Sequence, residues 1–140
     1  MIVIDASVAV KLYLDEPGAE QAIGLIQSNA GRISVPDVFV IEVASTLVRQ
    51  ANMGRQIAEI SRDCLANFVR FVGGNAIQCV RPNGTDIATA GDIAIDIGHP
   101  MRDCLYLLLA IQLGCPLVTF DAKFAAKAKP YHAEIQLLAA

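Results

Sequence analysis

An α/β fold, with a short and mostly parallel sheet covered by helices on both faces, is predicted by three features of this 140-residue chain. Short apolar runs of strand length alternate with longer segments whose apolar residues recur at helical spacing. Two of those runs end directly at an acid, Asp5 and Asp121. Apolar residues make up 54% of the chain and charged residues only 18%, enough to fill a core on both sides of a sheet.

Met1 to Ile4 is a nearly continuous apolar run ending at Asp5 and reads as a buried parallel strand. Ser7 to Leu14 follows as a short helix, stopped at Glu16-Pro17-Gly18. A second helix is predicted from Gly18 to Gln27, with Ala19, Ala22, Ile23 and Ile26 on one stripe. The chain turns at 29–31, and Ile33 to Val35 is the second strand. Asp37 is placed to cap a helix reaching about Asn52, with Val38, Ile41, Ser45 and Val48 on its packed face and Glu42 beside that face. Gly54 separates it from a helix over Arg55 to Val72, on which Ile57, Ile60, Cys64, Phe68 and Phe71 keep helical spacing, so the two helices form an arm. Gly73-Gly74 ends the arm and Ile77 to Val80 is a strand. Thr85 to Ile97 is helical through Ile87, Ala90, Ala94 and Ile97, and Gly98-His99-Pro100 interrupts it. Arg102 to Leu113 is the next helix, closed by Gly114. Pro116 to Thr119 is a strand running into Phe120-Asp121, Lys123 to Lys129 a short helix, and Ile135 to Leu138 a last strand. One domain over residues 1–140 accounts for this order without a linker or repeat.

Composition narrows the function. A net charge of −3 argues against binding nucleic acid through a broad basic face, but not against an enzyme whose acids hold cations. The four cysteines, Cys64, Cys79, Cys104 and Cys115, form no CxxC pair and read as buried small hydrophobes, and two histidines offer no zinc spacing. No apolar stretch approaches the roughly 20 residues that span a bilayer. MIVIDASVAV has no positive leader, so a cytoplasmic protein without a membrane segment is expected. Neither GxxxxGK[ST] nor GxGxxG occurs, which leaves nucleotide-dependent catalysis unsupported.

Parallel strands joined by right-handed crossovers present their carboxyl ends on one edge, which brings Asp5 and Asp121 together where α/β folds bind ligands. Either acid alone also reads as a cap for the helix after it. Glu42, beside a packed helix face, pays desolvation unless it is paired or binds a cation. Asp103 stands in the first turn of a strongly apolar helix, where the helix terminus itself favours a carboxylate. Convergent carboxylates repel one another unless positive charge sits among them, and oxygen donors suit Mg²⁺ or Mn²⁺. Hydrolysis of a phosphodiester is the chemistry such a site serves best.

Three segments then carry a resemblance. MIVIDASVAVKLYLDEP, VPDVFVIEVASTLVR and HPMRDCLYLLLAIQLGCPLVTFDAKFA resemble the corresponding stretches of PIN-domain proteins, and more closely of the VapC-type ribonuclease toxins of bacterial toxin–antitoxin pairs. The likeness covers essentially the whole chain. It implies a three-layer α/β/α fold, a Mg²⁺ or Mn²⁺ site and endonucleolytic cutting of RNA. It carries the family's acidic positions onto Asp5, Glu42, Asp103 and Asp121, and its nearby hydroxyls onto Ser7 and Thr119, which orient a carboxylate, a water or a phosphate. Lys123 and Phe124 follow Ala122 where some members have a further acid, so two-metal catalysis is not expected. Homodimers, and a cognate antitoxin whose chain occupies the cleft, are also implied; the apolar arm of residues 38–72 offers contacts for it, although stripes at helical spacing equally suit the chain's own core.

Lys11, Arg49, Arg102 and Lys123 lie near these segments and are candidates for holding RNA phosphates, although a solvated role suits each of them as well. His99 reads as a surface or loop-packing histidine and is not assigned as a base. Two other functions remain open from sequence: a phosphatase using Asp5 as nucleophile, and a nuclease-like fold retained only for partner binding.

Overall fold

A computed structural model describes all 140 residues. Its strands are β1 (Ile2–Ile4), β2 (Ile33–Pro36), β3 (Ile77–Val80), β4 (Leu117–Thr119) and β5 (Ile135–Leu137). Its helices are α1 (Ala6–Ala9), α2 (Ala19–Ser28), α3 (Val38–Asn52), α4 (Ala58–Gly73), α5 (Gly84–Ile97), α6 (Met101–Leu113) and α7 (Ala122–Ala128). Every predicted element is present. The helix expected over Ser7 to Leu14 is shorter than predicted: α1 gives way to a 3-10 turn over Val10–Leu12, where the N–H groups of both Tyr13 and Leu14 donate to the Val10 carbonyl before Pro17 prevents continuation.

All strand pairs are parallel, in the order β3-β2-β1-β4-β5. The three central strands are buried along their whole length, as their apolar sequences require, while β3 and β5 are edges with exposed positions. From β1 the chain moves out to β2 and β3 on one side, then crosses back to β4 on the other. The strand order therefore reverses beside β1, and the crevice at that reversal is where an open α/β sheet receives ligands. One continuous core joins residues from Ile2 to Ala128, with α6 packed on β1, β2 and β4, and α1 on β4. No helix is long and apolar enough to cross a membrane.

The packed faces of three helices differ from the expected ones. On α3 the buried residues are Phe39, Val43 and Leu47, while Ile41 is 67% and Val48 45% exposed. Two apolar stripes run side by side on this helix, and periodicity cannot say which one meets the sheet; the stripe bearing the large Phe39 ring does. On α4, Phe68 is buried against Phe39 and Tyr13, whereas Ile57 and Ile60 are exposed at the far end of the arm. On α5, Ala90 and Ala94 are buried together with Ile93, and Ile87 is exposed. Asp37 holds the N-cap position of α3 without a side-chain capping bond. Among the cysteines, Cys104 and Cys115 are buried, Cys64 is half-buried and Cys79 is exposed, because it lies on the edge strand β3.

One close approach shapes the crevice. Gly18 has φ +96°, and a Cβ there would meet the Phe120 ring at 2.8 Å. The absent side chain lets the start of α2 press on the residue between Thr119 and Asp121.

Candidate metal centre

Sheet register builds the first part of the site. Val3 pairs with Leu117 and Ile4 with Val118, so the next step up brings Asp5 beside Thr119. The Asp5 N–H donates to the Val118 carbonyl at 3.2 Å. Its side chain accepts on both oxygens: Oδ1 from the Ser7 N–H at 3.0 Å and from the Ser7 hydroxyl, Oδ2 from the Thr119 hydroxyl. Asp5 thus caps α1 and lines the crevice at once. With only 6% of its surface exposed, burial lifts its carboxyl from 3.8 to about 6; the two hydroxyls and the Ser7 N–H pull it down, and the charge of Asp103 adds to the rise.

Ser7 and Thr119 link the two strand exits. Ser7 Oγ accepts from the Phe120 N–H and Thr119 Oγ1 from the Asp121 N–H, both at 3.0 Å. Asp121 in turn caps α7, Oδ1 accepting from the Phe124 N–H at 2.9 Å. The capping reading therefore holds for both acids, Asp5 on α1 and Asp121 on α7.

Asp103 arrives from the first turn of α6, and His99 stands one helical turn before it. Their side chains meet at 2.7 Å between Nε2 and Oδ2. The His99 side chain is 7% exposed and its ring stacks on Phe124 at 4.9 Å, so of the surface and loop-packing readings the packed one holds, and the ring lies against Asp103. Gly98, at φ +63°, ends α5 in the left-handed conformation and turns the chain so that His99 faces α6. One donor atom each from His99, Asp103 and Asp121 can be chosen so that all lie within 4.8 Å of one another. Ligands around a six-coordinate ion of Mg²⁺ size lie about 3 to 4 Å apart, a spacing of the same order as in this set. The donors are chemically fit for such an ion.

Glu42 and Asp5 stand outside that triplet but within its electrostatic reach. Burial raises the Glu42 carboxyl above its ordinary value, a hydrogen bond from the Tyr106 hydroxyl at 2.9 Å pulls it down, the Asp103 charge raises it, and Arg102, 3.5 Å away, lowers it. Tyr106 is fully buried, and burial, with Glu42 next, drives its hydroxyl far above its usual value, so it remains a neutral donor. Asp103 sits three residues before Tyr106 and Arg102 four, which places all three on one face of α6. Sequence reasoning missed both Tyr106 and the engagement of His99. A tyrosine inside an apolar helix needs a hydrogen-bond partner, and a histidine four residues before an acid at a helix start can reach it; those were the available signals.

The four basic candidates divide. Lys11 is turned to structural use: Nζ donates to the Pro17 carbonyl at 2.7 Å, pairs with Glu16 at 3.1 Å and lies 4.9 Å over the Phe120 ring. It is not free for a phosphate. Arg49 and Arg102 line, with Glu42, an open cleft of about 270 Å³ beside the acids. Lys123 is exposed on the first turn of α7, two residues after Asp121.

Comparison with known proteins accords with this geometry. The family model described as PIN domain matches residues 2–130. Ribonuclease VapC12 of Mycobacterium tuberculosis is 30% identical over 139 residues, covering 99% of this chain and all of that protein. Among solved structures, Mycobacterium tuberculosis VapC20, described as a sarcin-ricin loop cleaving toxin, superposes with a TM-score of 0.74 at 13% identity, over 90% of this chain and 94% of that one. VapBC2 of Rickettsia felis, bound to a DNA fragment from its promoter, superposes at 0.61 and 13% identity over 99% and 98%. The parallel sheet with acids at the exits of β1 and β4, the match along nearly the whole chain and the full-length likeness to a named ribonuclease agree, and the chain belongs to the PIN-domain family, among the VapC-type ribonucleases.

Proposed function

We propose that residues 1–140 act as one domain, a Mg²⁺- or Mn²⁺-dependent endoribonuclease toxin that cuts RNA in the cytoplasm and is neutralised by a cognate antitoxin. The observation that carries this reading is the convergence of Asp103 and Asp121, with buried Asp5 behind them, at the crevice where the strand order reverses. Asp103 and Asp121 hold the ion, and Asp5 and Glu42 complete the acidic wall. When bound, such an ion supplies an acidified water and offsets charge that develops on the phosphate. Ser7 and Thr119 fix Asp5 by donating to both its oxygens, and Arg49 and Arg102 hold the RNA backbone in the cleft next to Glu42. The likeness to VapC12, a ribonuclease, and to VapC20, a sarcin-ricin loop cleaving toxin, supports RNA as substrate. Unpaired, looped RNA suits a site that opens at a crevice rather than along a broad basic groove.

The VapBC pair among the similar structures supports an antitoxin partner. Ile41 and Val48 on α3, Ile57 just before α4 and Ile60 on it leave apolar side chains exposed where an amphipathic partner segment can lie. A homodimer is the expected free form, to be read from sedimentation of the antitoxin-free protein. The phosphatase reading is less well supported, because both Asp5 oxygens already accept hydrogen bonds in a buried position.

The test mixes antitoxin-free protein and its Asp103→Asn variant with total cellular RNA, in Mg²⁺, in Mn²⁺ and in excess EDTA, and sequences the ends. Discrete cuts by the wild type with metal, absent from the variant and in EDTA, are expected. Intact RNA in every lane from folded protein sinks the reading in favour of a partner-binding role.

A further inference from the structure

We propose that His99 is a nitrogen ligand of the ion held by Asp103 and Asp121, making a mixed nitrogen and oxygen centre that binds a transition ion such as Mn²⁺ in preference to Mg²⁺. This rests on the reading above that the two aspartates hold a divalent ion.

Three observations support it. The first is position: a His99 nitrogen falls within the 4.8 Å set with Asp103 and Asp121, whereas Asp5 and Glu42 do not. The Asp5 oxygens accept from Ser7 and Thr119, and those of Glu42 meet Tyr106 and Arg102, which turns both carboxylates toward those partners. The second is preorganisation. Phe124, itself fully buried, stacks on the His99 ring at 4.9 Å with 22° between the planes, and its backbone N–H donates to Asp121 at 2.9 Å. One residue thereby fixes two of the three donors, and a ring only 7% exposed has little freedom to turn away. The third is spacing: His99 Nε2 and Asp103 Oδ2 are 2.7 Å apart, close to the roughly 3 Å between adjacent ligands of one ion. Coordination takes the neutral Nδ1–H tautomer: any proton shared between Nε2 and Asp103 is released to solvent, and ring and carboxylate turn until both lone pairs face the ion.

The selectivity follows from donor chemistry. Mg²⁺ is hard, keeps its waters and takes oxygen ligands, and gains little from an imidazole. First-row transition ions accept imidazole nitrogen readily, so a nitrogen in the shell moves the preference toward them. A histidine that served only as the ionic partner of Asp103 acts oppositely, because it competes with the ion for that carboxylate.

Mn²⁺ is the probe, since its electron spin reports directly bound nitrogen. Pulsed electron paramagnetic resonance on the full chain loaded with Mn²⁺ is expected to show ¹⁴N coupling in the wild type and in His132→Gln, and none in His99→Gln. Calorimetric titration is expected to show His99→Gln weakening Mn²⁺ about tenfold and Mg²⁺ less than about threefold. Bound Mn²⁺ without ¹⁴N coupling in the wild type overturns the histidine ligand and leaves the aspartate site standing. Unchanged or tighter Mn²⁺ binding in His99→Gln likewise overturns it, in favour of the ionic partner. Failure of the wild type to bind Mn²⁺ at all removes both readings. The wild-type spectrum needs no variant, so a His99→Gln protein that misfolds does not protect the proposal.

Discussion

Asp5 shows what a single carboxylate costs when it is kept for chemistry. It sits at the end of a buried strand, and burial holds its carboxyl near 6 although three donors and a crevice edge surround it. A folded value above the ordinary 3.8 means that folding favours the protonated form. That contribution is whole below about pH 3.8 and is lost as the pH rises through about 6, so in metal-free protein above pH 6 the ionised Asp5 opposes folding. The difference is worth about 3 kcal/mol at most. In EDTA, Asp5→Asn is therefore expected to unfold at higher urea than the wild type at pH 8, by up to that amount, with the gap closing toward pH 4. A variant less stable than wild type at pH 8 contradicts the assignment of Asp5 as a buried charge. Asp5 and Asp121 were legible as site acids because each ends a strong strand signal. His99 was not, because its meaning depends on Phe124, twenty-five residues away, whose ring fixes it.

At the scale of the element, α6 does most to shape the acidic wall. Its first turn delivers Asp103, the same face delivers Tyr106 and Arg102 to Glu42, and the rest of the helix is buried against β1, β2 and β4. Periodicity identified the helix and its length, but a helix buried over seven consecutive residues, Cys104 to Ala110, has no single polar stripe from which to read an inner functional face. On α3 the same difficulty appeared in another form, where two adjacent stripes competed and only tertiary packing chose Phe39, Val43 and Leu47. Tyr106→Phe isolates the link between the two helices. It removes one hydroxyl from the half-buried Glu42 while keeping the ring that fills the core, and is expected to cost about 1 to 2 kcal/mol in urea unfolding. The Glu42 carboxyl then rises further, since the contact that lowered it most is gone. Cleavage is expected to fall about tenfold, as for loss of a residue that orients an acid at a metal centre. Full activity in the phenylalanine variant shows instead that Glu42 is held well enough by Arg102 alone.

At the scale of the whole molecule, a sheet-held acidic cluster and an exposed apolar stripe meet at α3, which carries both Glu42 and Ile41. Strand exits and α6 set the acids in a crevice fixed by sheet register, so the site is as rigid as the sheet that holds it. The arm of α3 and α4 extends from the same side, with its inner face in the core and Ile41, Val48, Ile57 and Ile60 exposed. The sequence pattern marked those residues as apolar at helical spacing, and an apolar stripe by default belongs to a chain's own core. Here the core is already filled by Phe39, Val43, Leu47 and Phe68, and the second stripe stays exposed. Because Ile41 also borders the cleft holding Glu42, Arg49 and Arg102, the proposed antitoxin segment, if it lies along the arm, is expected to reach that cleft and compete with RNA. Substituting the outer stripe, as in Ile57→Asp with Ile60→Asp, should therefore leave RNA cutting by the purified toxin within about twofold of wild type, since neither residue is buried or near the acids. Inhibition by the antitoxin is expected to require at least tenfold more of it, as two apolar anchors are replaced by charges at a protein interface. The measurement is the antitoxin concentration that halves cleavage. An unchanged value assigns neutralisation to contacts at the cleft alone, whereas loss of cutting without antitoxin shows that the far end of the arm supports the fold rather than the partner.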